Sequence, residues 1–166
     1  MSQKVRILIG LVVIVVIGGI VLGVEYLRGR TGLQSAGEVT LSPGNIPIYL
    51  QGELVAAFAP EALEMLEQVS FEDAEEGKTQ EGYLLRDVLL TYLDEDNLSP
   101  ETQIIVASSV SDKSAELTWA EVQAEENMVM FDLSSRGTLK LVSRLEQLDT
   151  RDEWVQDVDR IEVVTP

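Results

Sequence analysis

Apolar residues recur along this chain at two spacings, which together predict most of its elements. In GYLLRDVLLTYL the pairs Leu84/Leu85, Val88/Leu89 and Tyr92/Leu93 return every four residues, laying a stripe along one side of a helix. Such a face must be buried against something. Elsewhere the period is two. Ala115, Leu117 and Trp119 alternate with polar partners, as a half-buried strand requires. Leu139 and Leu141 share one face of a further strand, with Lys140 and Val142 on the other.

The remaining elements follow from shorter signals. IPIYL and ELVAAF read as strands separated by a Gln51-Gly52 turn. Pro60 and Glu61 suit the start of a helix through PEALEMLEQ, where a missing N–H and a negative charge are both welcome. VSFED reads as a strand and EEGKTQEG as a turn-rich loop or hairpin tip. Ser99-Pro100 restarts the chain before TQIIVAS, an apolar run suited to a central strand. Thr118 and Glu121 have the spacing of a capping box for a helix through TWAEVQAEE. NMVMFDL and TLKLVS flank Ser134 to Gly137 as an antiparallel pair, and RIEVV closes the set with Trp154 ahead of it. Six or seven strands with three short helices predict an α+β domain of mixed and antiparallel sheets.

One stretch obeys neither period. From Ile7 to Val24 no residue is charged, and at about 1.5 Å per residue a helix of that length spans about 27 Å of hydrocarbon. A cleaved signal peptide is the competing reading, but its apolar core is usually about 7–15 residues and ends near a small-x-small site. Only a poor match exists, around Gln34 to Ala36. We therefore expect a retained signal anchor, with Tyr26 at the headgroup level and a G-x-x-x-G pair at Gly19 and Gly23. Lys4 and Arg6 nearly balance Arg28 and Arg30, with the amino terminus tipping orientation toward N-in and an extracytoplasmic domain. The expected organisation is a tail over 1–6, a transmembrane helix over 7–24, a linker over 25–45 and the α+β domain over 46–166.

Charge narrows the partners. The chain carries 29 acidic and 12 basic residues, and residues 31–166 hold 28 of the former and 8 of the latter. A phosphate backbone is repelled by such a surface, so nucleic acid is not an expected partner. The expected partners are the lipid bilayer, through residues 7–24, and another membrane or extracytoplasmic protein. Absent residue types exclude whole chemistries. With no cysteine there is no disulfide, iron–sulfur cluster, thiolate zinc site or attached c-type haem. With no histidine the usual general base near neutrality and the Ser-His-Asp triad are missing.

The order of motifs carries a resemblance. Gly82 to Leu89 (GYLLRDVL) is read as a glycine-led helix, followed by VASSVSD (Val106 to Asp112), LTWAE (Leu117 to Glu121), GTLKLV (Gly137 to Val142) and WVQDVDRIEV (Trp154 to Val163). This succession resembles the molybdopterin-binding domain of the sulfite oxidase family, and especially its minimal, membrane-anchored bacterial members, over about residues 48–164. The resemblance implies that Trp154 and the final I-E-V strand return to a central sheet and pack on the core. It also implies a molybdenum-ligating cysteine, which this chain lacks. No catalytic residue is carried over, no metal ligand is named and the cofactor-binding residues stay open. Arg86, Lys140 and Arg160 are the basic residues within matched motifs, and each also reads as an ordinary ion-paired side chain.

Three acidic clusters are candidate sites. Glu72 to Glu76 and Asp94 to Asn97 fall in expected loops, where solvation is the default. An EF-hand beginning at Asp94 fails because Leu98 and Ser99 occupy its fifth and sixth positions. Asp149, Asp152, Glu153, Asp157 and Asp159 surround Trp154, an anchor for a basic partner if exposed and a core residue if buried. The leading expectation is a membrane-tethered binding or assembly module without cofactor. Alternatives are a molybdopterin-dependent oxidoreductase, or a subunit of one, and an acidic cation-binding ectodomain.

Overall fold

At the first hairpin turn, Gln51 and Gly52 both take left-handed backbone conformations, with φ of 54° and 81°. That pair of angles suits a tight hairpin, because it matches the twist of the strands it joins. The strands are β1 (Ile46–Leu50) and β2 (Glu53–Phe58), antiparallel with a bulge near Ile48. The computed structural model describes residues 41–166 apart from Ala74, all within one unit, Val39–Pro166. The expected membrane helix over 7–24, and most of the linker over 25–45, lie outside these residues. Among the described residues no helix is long and apolar enough to cross a membrane.

The domain is α+β, with two sheets and few short helices. After a 3-10 helix at Pro60–Met65, β3 (Gln68–Glu72) and β4 (Thr79–Leu84) form a second hairpin. Helix α1 (Leu85–Tyr92) follows directly. A third hairpin joins β5 (Gln103–Ser108) to β6 (Lys113–Thr118). Helix α2 (Trp119–Gln123) then opens on the expected capping box, with the Glu121 N–H on Thr118 Oγ1 and the Glu121 carboxylate on the Thr118 N–H. A fourth hairpin joins β7 (Met130–Leu133) to β8 (Leu139–Val142), and β9 is Arg160–Val164. One sheet has the order β2-β1-β9-β5-β6 and the other β3-β4-β7-β8. Among the described residues only β1 and β9 run parallel.

Apolar side chains from both sheets and both helices meet in one core. Ile48, Ile104, Val106, Ile161 and Val163 from the first sheet join Phe131, Leu139 and Leu141 from the second, with Leu85, Val88, Leu89, Trp119 and Val122 from the helices. A smaller cluster of Phe71, Met130, Val142 and Trp154 lies on the other side of the four-stranded sheet. The alternation in β8 divides as expected: Leu139 and Leu141 enter the main core, and Val142 enters the small one.

Several expectations are corrected. The helix begins at Leu85 and not at Gly82, because Gly82 to Leu84 pair as strand with β3 and β7. Leu84 and Leu85, expected side by side, separate into the two clusters. The helix at Pro60 is a shorter 3-10 segment, and nine strands lie among the described residues, not six or seven. The expected central strand, β5, is an interior one between β9 and β6, while β9 holds the middle of the five-stranded sheet. The final strand does pack on the main core. Trp154 does not accompany it; the ring is buried in the small cluster, with its Nε1–H donated to the Leu148 carbonyl over 3.1 Å.

Candidate functional site

Burial of Trp154, at 2% exposure, removes it as an exposed anchor. Its surroundings are polar on one side. Lys140 Nζ lies 4.6 Å from the ring centroid, 2.7 Å from Asp132 Oδ2 and 3.2 Å from Gln80 Oε1. Arg151 stands 5.9 Å from the same ring. That arginine links two of the acidic clusters: its guanidinium meets Glu76 at 3.2 Å and its backbone N–H donates to Glu75 Oε2 at 3.3 Å. The sequence places these segments far apart and carries no signal that they meet.

The carboxylates there hold the fold's own turns. Asp73 is buried, and the Glu76 N–H at 2.7 Å from its Oδ1 holds its carboxyl below the usual range. Burial opposes this, while Gln80 at 2.8 Å and Lys78 add to the lowering. Glu76 is lowered chiefly by the Lys78 ammonium at 2.6 Å, again against burial. Glu95–Asn97 form a short 3-10 turn after α1 with Asp94 just ahead of it, and none of the four is buried. Among the described residues no three acidic side chains converge as a metal site requires.

The three motif cations occupy separate places. Arg86 bonds Asp87 Oδ1 at 2.9 Å and reaches Glu125 at 3.8 Å. Lys140 is held as described above. Arg160 pairs with Glu162 at 3.3 Å and lines a cleft of about 560 Å³ on the five-stranded sheet, with Tyr49, Ser109, Asp112, Lys113 and Asp159.

This cleft sits where the β5–β6 turn is fastened to the segment before β9. The Ser109 N–H donates to Asp159 Oδ2 at 2.8 Å, and the Ser109 hydroxyl reaches the same oxygen. Ser111 Oγ donates to the Gln156 carbonyl at 3.2 Å, and the Asp159 N–H to the Ala107 carbonyl at 3.0 Å. Asp112 and Asp157 both take left-handed backbone angles, φ 53° each. Sequence inspection missed Ser109, Lys113 and Asp159 as a unit because only the sheet order brings them together.

A molybdopterin would need convergent donors for its phosphate and sulfur for its metal. Here Lys113 donates to the Asp152 carbonyl and Arg160 is paired with Glu162, while Asp112 and Asp159 cancel the two positive charges. The chain has no thiol. The donor set of this cleft does not fit that group, and no chemical step is derived through it. No protein-family model matches the chain, and no curated protein sequence matches it.

Proposed function

We propose that this chain is a single-pass, membrane-tethered module that displays residues 46–166 outside the cytoplasm and works by recognition, not catalysis. In this reading the domain is a degenerate relative of the sulfite-oxidase molybdopterin-binding fold that has given up its cofactor. One observation carries the reading: the carboxylates of Asp73, Glu76 and Glu121 are occupied by the hydrogen bonds and ion pairs of the fold's own turns and caps, and among the described residues no three acidic side chains converge. The absence of cysteine and histidine from the whole sequence supports the same reading.

The test uses full-length protein extracted from membranes with detergent. Molybdenum is measured by mass spectrometry and pterin by fluorescence after oxidation; both are expected far below stoichiometry. A stoichiometric amount of either overturns the reading. Because the chain has no cysteine, Ser135→Cys on the exposed β7–β8 turn introduces a single reporter thiol. A membrane-impermeant maleimide should label it in intact cells, and labelling only after permeabilisation overturns the topology.

A further inference from the structure

Strand β6 ends the five-stranded sheet, so one side of its backbone faces away from β5. Opposed residues in an antiparallel pair alternate between exchanging both hydrogen bonds and exchanging none. The phase is visible here. Trp119 N–H donates to the Thr102 carbonyl at 2.8 Å, continuing the β5–β6 register by one residue. Lys113, Ala115 and Leu117 therefore bond to β5, whereas Ser114, Glu116 and Thr118 turn their backbone groups outward. The Thr118 N–H is taken by Glu121 Oε2 at 2.7 Å. Among the described residues the outward N–H and C=O groups of Ser114 and Glu116 have no hydrogen-bond partner.

A groove of about 530 Å³ runs beside them. One bank is Ser114 to Leu117, and the other is Gln147, Leu148 and Glu153. The banks are tied at both ends: Lys113 Nζ donates to the Asp152 carbonyl, and Gln147 Nε2 to Glu121 Oε1 at 3.3 Å. The second bank is held in place where Trp154 Nε1 grips the Leu148 carbonyl. Glu116 and Glu153 line the groove, and residues 41–166 hold 27 acidic against 8 basic residues.

We propose that this groove receives a short, extended, positively charged segment of a partner protein, which adds a sixth strand beside β6. Unpaired main-chain groups on a sheet edge call for another strand. At roughly 3.4 Å per residue, the Ser114–Leu117 bank accommodates about four residues. A lysine or arginine on the added strand faces Glu116, the favourable arrangement for a cross-strand pair. A second copy of this chain brings the same excess of negative charge and is repelled. The inference rests on the reading of the chain as a recognition module and names the chemistry of its partner.

The test is fluorescence anisotropy with detergent-solubilised full-length protein and a labelled hexapeptide of alternating valine and lysine. Saturable binding is expected, weakened roughly tenfold by Glu116→Lys. Ser114→Pro removes one outward N–H that β5 does not use, and should weaken binding as well. A peptide N-methylated at alternate residues keeps its charge but cannot form the ladder, and should lose binding even to the unaltered protein. Equal affinity for the methylated peptide, equal affinity for a valine–glutamate peptide, or no binding up to about 1 mM would each overturn the proposal. Disulfide cross-linking of two Ser114→Cys chains at high yield would give the groove to a second copy and overturn it too. If the protein carries stoichiometric pterin, the recognition reading falls; if it is pterin-free but indifferent to N-methylation, only the groove assignment falls.

Discussion

Lys140 and Trp154 meet across the outer face of the four-stranded sheet, with the ammonium 4.6 Å from the ring centroid. The ammonium is also the partner of Asp132, at 2.7 Å. The two residues therefore act together: the lysine covers one side of the ring that seals the small cluster, and the ring limits water around the ion pair.

Trp154→Ala should cost about 3–5 kcal/mol by opening a cavity in that cluster. Trp154→Phe keeps most of the volume but strands the Leu148 carbonyl, at about 1–3 kcal/mol. Lys140→Met should cost only about 1 kcal/mol, since the pair is partly solvated. Urea denaturation checks all three, and an alanine variant as stable as the parent would refute the packing described.

Gly82 offers a sharper test. A Cβ at this position would lie 2.2 Å from the Phe131 carbonyl oxygen and 2.8 Å from its carbonyl carbon, both backbone atoms that cannot swing aside. Gly82→Ala should destabilise by about 3 kcal/mol or more through overpacking. At Gly44 nothing among the described residues lies within 4 Å, so Gly44→Ala should cost only about 1 kcal/mol, from its left-handed backbone. Thermal melts of the two variants should separate clearly.

Gly82 also shows where sequence patterning stops. The hairpin at Gln51-Gly52, the capping box of Thr118 and Glu121, and the two faces of β8 were legible because each depends on residues a few positions apart. The strand character of Gly82 to Leu84 was not. The four-residue repeat of LLRDVLL imitates a continuous helix face, and only pairing with the distant Phe131 and Met130 pulls Leu84 into a strand. The same holds for function. Arg151 meeting Glu75 and Glu76, Ser109 meeting Asp159, and the outward phase of β6 all follow from which strands become neighbours, a choice made by the whole core.

Glu121 predicts a pH effect. The Thr118 N–H bonded to its carboxylate lowers its pKa from the usual 4.5, outweighing its partial burial. A lowered folded-state pKa stabilises above the unfolded value, and the gain is lost as pH falls through the folded value. Glu121→Gln should thus be less stable than the parent by about 0.5 kcal/mol at pH 7, from the weaker neutral bond. The difference should vanish as the pH drops well below 4.5. Parallel denaturation series at pH 7 and at pH 3 would show it, and a gap that widens in acid would contradict the assignment.

A chain ending at Asp159 lacks β9 and so loses the strand that pairs with both β1 and β5. It should show no cooperative thermal transition and should be digested rapidly by protease. Retained cooperativity would mean that the two sides of the five-stranded sheet hold without their shared neighbour.

The place of β9 has a consequence for biosynthesis. Until its residues have been translated, the β1–β2 and β5–β6 ribbons have no common partner, and an isolated two-stranded ribbon is marginal in water. Pairing of Ile48 with Ile161 joins the first described strand to the last, a long loop to close, and contacts of such sequence separation slow folding. The five-stranded sheet therefore stays incomplete until residues 160–164 have been made. That delay leaves its two ribbons within reach of chaperones and proteases until the shared strand settles between them.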